Sequence, residues 1–404
     1  MKYLVMLGDG MADRPIPEIG GRTPLEAANK PNMDFIAQNG YCGLVKTVPD
    51  GMFPGSDVAN LAVMGFDPEI YYTGRASIEA VSIGIDLTAG DFCYRCNLVT
   101  LSDHDVYEKS IMIDHSSGEI TTDEAKQLIE ALNKELGIKL YVGKSYRHCL
   151  VLHNSKHGAD HTPPHDILDK VIGDHLPRGL NREFFTDLMR RSRDILKNHP
   201  INLDRIRRGL RSANSIWFWG EGSRMSIPTF ADKYGISGSV ISAVDLVKGL
   251  GIASGLESIN VIGATGTLHT NYKGKAEAAL EALKTRDFVY LHVEAPDECA
   301  HQGNVGDKIL AIEYIDQKIL GPVIAELNSR GEDYSILLLP DHATPIELRT
   351  HSSEPVPFAY YRRIGLKSSP SSASTPRYDE KNGSYTGVYI DKGYTLMDEF
   401  IGFK

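Results

Sequence analysis

Residues 287 to 301 read DFVYLHVEAPDECAH. The run ending at Val293 has no polar alternation, so it reads as a strand buried on both faces. Pro296 can then open a helix, which would place Asp297 and His301 one turn apart on the same side. The design recurs twice. Tyr3 to Leu7 (YLVML) ends at Gly8-Asp9-Gly10, and Tyr334 to Leu339 (YSILLL) ends at Pro340-Asp341-His342. Between the runs lie segments of helical period, such as Lys275 to Lys284 (KAEAALEALK) and Lys308 to Asn328, the second broken or kinked at Gly321-Pro322. This alternation predicts an α/β fold: a mostly parallel sheet with helices on both faces.

The rhythm breaks from about Ser77 to about Ala213. There the chain carries a patch of strands, a capped helix at Thr121 to Leu136, a Pro- and His-rich stretch from Asn154 to Pro177, and an arginine-dense helical stretch from Asn181 to Arg211. Strand and helix alternation returns after Trp217. The shift predicts an inserted α+β domain spanning 77–213, which splits a first domain into 1–76 and 214–404. Near the end, Lys367 to Pro376 (KSSPSSASTP) reads as a Ser- and Pro-rich surface loop before a hairpin-like segment rich in Gly and Tyr.

The 404 residues hold 43 Lys plus Arg against 53 Asp plus Glu, and a net charge of −10 argues against a dedicated nucleic-acid or anionic-membrane surface. Apolar residues at 42% and charged residues at 24% are enough for a large core and exclude disorder or a fibrous class. The first apolar run is too short for a signal-peptide core or a bilayer span, and no other segment is long enough, so the expected location is cytoplasmic. Five cysteines suit a reducing compartment, and Cys93-Tyr-Arg-Cys96 reads as part of a buried strand rather than a zinc or redox motif.

Three strand-like runs thus lead into aspartates, at Asp9, Asp297 and Asp341. Ligands collect at the carboxyl ends of parallel strands, so these carboxylates can converge on one site. His301, His342 and His351 stand close to them in sequence. Mixed carboxylate and imidazole donors suit Mn²⁺ or Zn²⁺ better than Mg²⁺ or Ca²⁺, and six candidate ligands are enough for two ions. Each residue alone has a plainer reading: Asp9 as a helix cap, Asp297 as a helix-start residue, Asp341-His342 as a solvated loop pair. Their recurrence at one topological place favours the site. His104, His153, His157, His161 and His175 lack that placement and read as surface or inserted-domain residues. In Phe53-Pro54-Gly55-Ser56-Asp57, the serine reads as an N-cap, where helix N–H groups favour a phosphate. A serine is a poor nucleophile near neutral pH unless its pKa is lowered. A divalent metal does this directly, and no GxSxG motif is present to do it another way.

The motifs Gly8-Asp9-Gly10-Met11-Ala12-Asp13, Pro54-Gly55-Ser56-Asp57, Gly74-Arg75, Ala295-Pro296-Asp297-Glu298-Cys299-Ala300-His301 and Pro340-Asp341-His342-Ala343-Thr344-Pro345, together with His351, resemble the archaeal-type cofactor-independent phosphoglycerate mutases of the alkaline phosphatase superfamily. The resemblance runs over essentially the whole chain. It implies an alkaline-phosphatase-like domain interrupted by a cap domain that closes over the cleft and retains the substrate. It also implies two divalent metal ions, one held by Asp9, Ser56, Asp341 and His342 and the other by Asp297, His301 and His351. Mn²⁺ or Zn²⁺ is the expected metal, with Mg²⁺ as a third option. The implied activity is interconversion of 3-phosphoglycerate and 2-phosphoglycerate through a phosphoserine at Ser56, with no bisphosphoglycerate. Arg75, Arg147 and Lys273 are the expected substrate-binding residues, and the arginines from Arg178 to Arg211 read as a solvated helix face. Expected partners are small phosphorylated metabolites, not nucleic acid or membrane.

One departure bears on the substrate. Archaeal mutases tend to carry an Asp-Arg pair and a second arginine in the cap, whereas this chain reads Asp114-His115-Ser116-Ser117-Gly118-Glu119. That wording resembles a bacterial branch proposed to act as homoserine kinases. It leaves homoserine and phosphohomoserine, or simple phosphatase action, as alternatives that share the same metals and nucleophile.

Overall fold

A computed structural model describes residues 1–155, 158–365, 367–368 and 373–402. His157, and residues 369–372 of the Ser- and Pro-rich stretch, lie outside them. Two compact units emerge, one of residues 1–72 with 226–404, the other of residues 73–225.

In the first unit a nine-stranded sheet runs in the order Glu257–Ile259, Gly238–Ile241, Phe288–Val293, Lys2–Gly8, Tyr334–Leu339, Val356–Ile364, Tyr41–Val45, Tyr389–Ile390, with Lys367–Ser368 pairing beside Val356–Ile364. The first five are mutually parallel, so their carboxyl ends share one edge. Val356–Ile364 runs antiparallel to both of its long neighbours. Every residue of Phe288–Val293 and Tyr334–Leu339 is buried, as expected of strands covered on both faces. Helices that include Tyr272–Thr285 and Val305–Ile315 contribute to the same core as these strands. The break at Gly321-Pro322 takes a specific form. Helix Val305–Ile315 passes into a π-turn at Asp316–Leu320, and a new helix starts at Gly321 with Pro322 in its first turn, where a missing N–H costs nothing.

The second unit is built on a five-stranded antiparallel sheet in which Phe92–Leu101 is central, flanked by Met112–Asp114, Arg147–Leu152 with Leu140–Tyr141, and Ser215–Ser223. Helices Thr122–Leu136 and Arg182–Leu196 share its core. Thr121 caps the first of these helices by accepting the Glu124 N–H. Cys93 and Cys96 lie buried in the central strand, and all five cysteines are free thiols.

Three expectations need correction. The expected boundary at 213/214 puts Ser215–Ser223 in the first domain, but this strand pairs with Phe92–Leu101, and the second unit extends from Thr73 to Met225. The run IWFW has a single-strand signature that does not reveal its partner. The segment after Pro376 is not a hairpin. It forms a helix at Glu380–Tyr385, a short strand Tyr389–Ile390 parallel to Tyr41–Val45, and a last helix Leu396–Ile401. Finally, Asn181 to Arg211 holds two helices, Arg182–Leu196 and Pro200–Arg207, because Pro200 restarts the helix after His199.

Candidate metal centre at the strand ends

The three central parallel strands deliver the predicted residues to one edge. Asp9 follows Lys2–Gly8, Asp297 sits in helix Ala295–His301 just after Phe288–Val293, and Asp341 and His342 follow Tyr334–Leu339. His351 returns along a loop pinned by the Ser352 N–H, which donates to the Ala343 carbonyl. Gly10 permits the close approach. It has φ +60°, and a Cβ there would stand 2.7 Å from Asp297 Oδ1, so no side chain fits.

Asp297 is the hub. Its Oδ2 lies 3.2 Å from His301 Nε2, its Oδ1 lies 3.5 Å from His351 Nε2, and the Thr344 hydroxyl donates to Oδ1 at 2.6 Å. Burial alone would raise its pKa, yet the hydrogen bonds from His301 and His351 hold it well below the usual carboxylate range. His301 is correspondingly pushed up to about 9 by Asp297. Burial drives Asp9 the other way, well above its ordinary value, with Asp341, Asp297 and Glu294 adding to the rise. His342 is held down by burial. Its Nε2 lies 3.4 Å from Asp341 Oδ2, 3.6 Å from Asp9 Oδ1 and 3.1 Å from Ser56 Oγ.

Ser56 differs from its expected place by one residue. Gly55 is the N-cap and Ser56 the first residue of helix Ser56–Val63, with no side-chain cap hydrogen bond. Its hydroxyl is therefore released from capping and faces His342. Asp341 is held by three donors: the Gly10 and His342 N–H groups on Oδ1, and the Asn60 amide on Oδ2. The same Asn60 amide donates to the Ser56 carbonyl, and its oxygen accepts the Tyr290 hydroxyl at 2.7 Å.

The donor set suits a divalent ion. Asp297, His301 and His351 form one group whose ligand atoms all lie within 4.8 Å of one another, and Asp9, Asp297 and His342 form a second. Asp9 Oδ1 is buried without a hydrogen-bond partner, which is costly unless something else occupies it. Imidazole and carboxylate donors together fit Mn²⁺ or Zn²⁺ chemistry.

The three residues expected to bind substrate are divided between the two units. Lys273 is exposed on helix Tyr272–Thr285, 3.5 Å from Glu277. Arg75 and Arg147 belong to the second unit. There the Arg75 Nε lies 3.2 Å from Glu79 Oε1, and the Arg95 Nε lies 2.8 Å from Glu79 Oε2, with the Arg95 guanidinium 3.9 Å from the centre of the Trp219 ring. Burial would raise Glu79, but Arg95, Arg75 and Arg147 outweigh it and lower its pKa. Arg147 has a buried Nε without a hydrogen-bond partner. The departure at Asp114 is a local fold: Asp114 accepts the Ser116 and Gly118 N–H groups and pairs with Arg211 at 2.5 Å, an arginine arriving from far along the chain.

Sequence reading missed Asn60, Tyr290, His292, Ser242 and Thr344. The available signal was a histidine and a tyrosine two apart in an otherwise apolar strand, because a doubly buried imidazole or phenol must find a polar partner.

Fold and donor set together define an α/β enzyme with a carboxylate and imidazole centre at the strand ends. A family model described as 2,3-bisphosphoglycerate-independent phosphoglycerate mutase matches residues 37–202. A protein of that name from Methanothrix thermoacetophila is 54% identical over 398 residues, covering 98% of both chains. A probable one from Geobacter sulfurreducens is 46% identical, covering 98% of this chain and 99% of that protein. Among solved structures, a Pyrococcus horikoshii protein superposes with a TM-score of 0.80 at 28% identity, covering 99% of this chain and 97% of that one. The cofactor-independent phosphoglycerate mutase of Thermoplasma acidophilum shares the fold, with a TM-score of 0.64 at 24% identity, covering 99% and 98%. The chain belongs to the 2,3-bisphosphoglycerate-independent phosphoglycerate mutase family, a family of isomerases.

Proposed function

We infer that this chain interconverts 3-phosphoglycerate and 2-phosphoglycerate, and that Ser56 carries the phosphoryl group between them. The observation that supports this most directly is the Ser56 hydroxyl, free of any capping bond and 3.1 Å from His342 Nε2 beside the carboxylates. Asp9, Ser56, Asp341 and His342 would hold one divalent ion and Asp297, His301 and His351 a second. Such ions, Mn²⁺ or Zn²⁺, would lower the serine pKa and neutralise the phosphate oxygens. Asp297 contacts His301 and His351 and also stands with Asp9 and His342 in a group whose donor atoms lie within 4.8 Å of one another.

Ser56 gives up its hydroxyl proton and forms the new Oγ–P bond as the bond from phosphorus to the glycerate oxygen breaks and that oxygen takes up a proton; the neighbouring glycerate hydroxyl then loses its proton and bonds to phosphorus as the Oγ–P bond breaks, which restores the serine. Asn60 fixes the serine's backbone against Asp341 during both transfers. Arg75 and Arg147 would bind the substrate's anionic groups, because a guanidinium makes paired contacts with carboxylate or phosphate. Among the described residues no helix is long and apolar enough to cross a membrane. The names of the relatives favour phosphoglycerate over homoserine as the substrate.

Phosphorus NMR of the full chain with Mn²⁺ and 3-phosphoglycerate tests the reading. Wild type should yield 2-phosphoglycerate without added bisphosphoglycerate, and Ser56→Ala should yield none. Release of free phosphate alone, or turnover by Ser56→Ala, would overturn it.

A further inference from the structure

Asp9 has two oxygens in different situations. His292 Nε2 lies 2.9 Å from Oδ2, while Oδ1 is buried with no hydrogen-bond partner. On the far side of the ring, His292 Nδ1 lies 3.0 Å from Ser242 Oγ. Ser242 Oγ in turn accepts the Val244 N–H at 2.9 Å, so its own hydrogen is free to point at the imidazole. Ser242, His292 and Asp9 are all buried.

We propose that Ser242 and His292 are positioning residues that set which oxygen of Asp9 faces a divalent ion. The proton accounting is short. A carboxylate that ligates a metal is deprotonated, so the shared hydrogen in the 2.9 Å contact must sit on His292 Nε2. A neutral imidazole then has a bare Nδ1, and that atom needs the Ser242 hydroxyl as donor. The chain Val244 N–H, Ser242 O–H, His292 Nε2–H, Asp9 Oδ2 therefore runs in one direction and ends by occupying Oδ2. Oδ1 carries no such bond and is the oxygen left open for a metal.

Phe288–Val293 supplies this support twice. Tyr290 lies on the same strand face as His292, two residues away, and its hydroxyl orients Asn60, which donates to Asp341 Oδ2. One strand that contributes no ligand of its own thus aligns two carboxylates, a supporting role of the kind that ligating groups generally require.

This inference rests on the metal-centre reading above, and the experiment separates the two. Mn²⁺ is titrated calorimetrically into the metal-free full-length chain, and the Mn²⁺-induced rise in melting temperature is recorded in parallel. His292→Ala should weaken Mn²⁺ binding about 10- to 100-fold, and Ser242→Ala by a smaller factor. His292→Gln, whose amide reaches the Nε2 position and keeps a donor toward Asp9, should recover part of the loss, whereas His292→Asn, whose shorter amide reaches only the Nδ1 position, should not, a contrast that mere loss of packing would not give. Asp9→Asn is the control. If Asp9→Asn weakens binding while His292→Ala and Ser242→Ala bind as wild type, the positioning role is wrong and the metal centre stands. If Asp9→Asn also binds Mn²⁺ normally, the metal reading fails with it. Should His292→Ala not fold, Ser242→Ala and the pair His292→Gln and His292→Asn carry the same comparison.

Discussion

His301 and His351 turn their Nε2 atoms toward each other at 3.0 Å, with their ring centres 4.9 Å apart. Two imidazole nitrogens at that distance repel unless a proton or a cation lies between them, and both also contact Asp297. Removing either one should therefore disable the group as a unit. His301→Ala and His351→Ala should each weaken Mn²⁺ binding by at least about 10- to 100-fold. The double variant should be little worse than either single one. Calorimetric titration checks this, and additive losses would argue against a shared ion.

Asn60 and Tyr290 form a buried pair whose removal should be asymmetric. Asn60→Ala strands the Tyr290 hydroxyl and takes a donor from Asp341. A cost of about 1–3 kcal/mol in stability is expected, together with a fall in kcat. Adding Tyr290→Phe should restore part of the stability and none of the kcat. Denaturant melts and steady-state kinetics on the three variants read the two effects separately.

Lys308 is fully buried and reaches Asp13 Oδ2 at 2.7 Å, the Thr344 carbonyl at 2.9 Å and the Ala12 carbonyl at 3.2 Å. It ties the loop after Asp9 to the loop after His342. Burial lowers its pKa despite the Asp13 charge. Lys308→Met should destabilise the protein by about 3–5 kcal/mol, because Asp13 is left charged and unpaired inside. The double variant with Asp13→Asn should be the more stable of the two, as measured by thermal melts.

His148 in the second unit gives a pH test on a residue that is not one of the proposed metal donors. It is 2% exposed, its Nδ1 accepts the Gly143 N–H, and burial lowers its pKa from 6.5 to about 3. The folded protein therefore refuses a proton that the unfolded chain accepts. The stability contribution is complete above pH 6.5 and declines as the pH falls toward 3. At about pH 4.5 the loss should approach about 3 kcal/mol. His148→Asn keeps an acceptor for Gly143 and should lose less melting temperature than wild type between about pH 7.5 and pH 4.5. Equal losses would show that carboxylates elsewhere dominate.

How far the letters went can be judged residue by residue. Asp9, Asp297, Asp341 and His342 were legible because parallel strands are continuous apolar runs and their carboxyl ends lie on one edge. His301 followed from helical spacing after a proline. Ser56 was found in the right place with the wrong capping role, since a one-residue shift of a helix start has no sequence signature. His292 and Asn60 were not recognised because their meaning depends on partners 283 and 281 residues away. The partner of Ser215–Ser223 was illegible for the same reason: an apolar run such as IWFW reports a strand but not the sheet it joins.

The placement of the first strand has a consequence for biosynthesis. Lys2–Gly8 hydrogen-bonds on one side to Phe288–Val293 and on the other to Tyr334–Leu339. As the ribosome delivers the chain, residues 9–287 are made between this strand and the first of its two neighbours, and the second follows only at Tyr334. Contacts of such long sequence separation form late and slowly. A nascent chain stalled before Phe288 would carry Asp9 and Ser56 with an unpaired apolar strand beside them, a natural target for chaperones and incapable of assembling the centre.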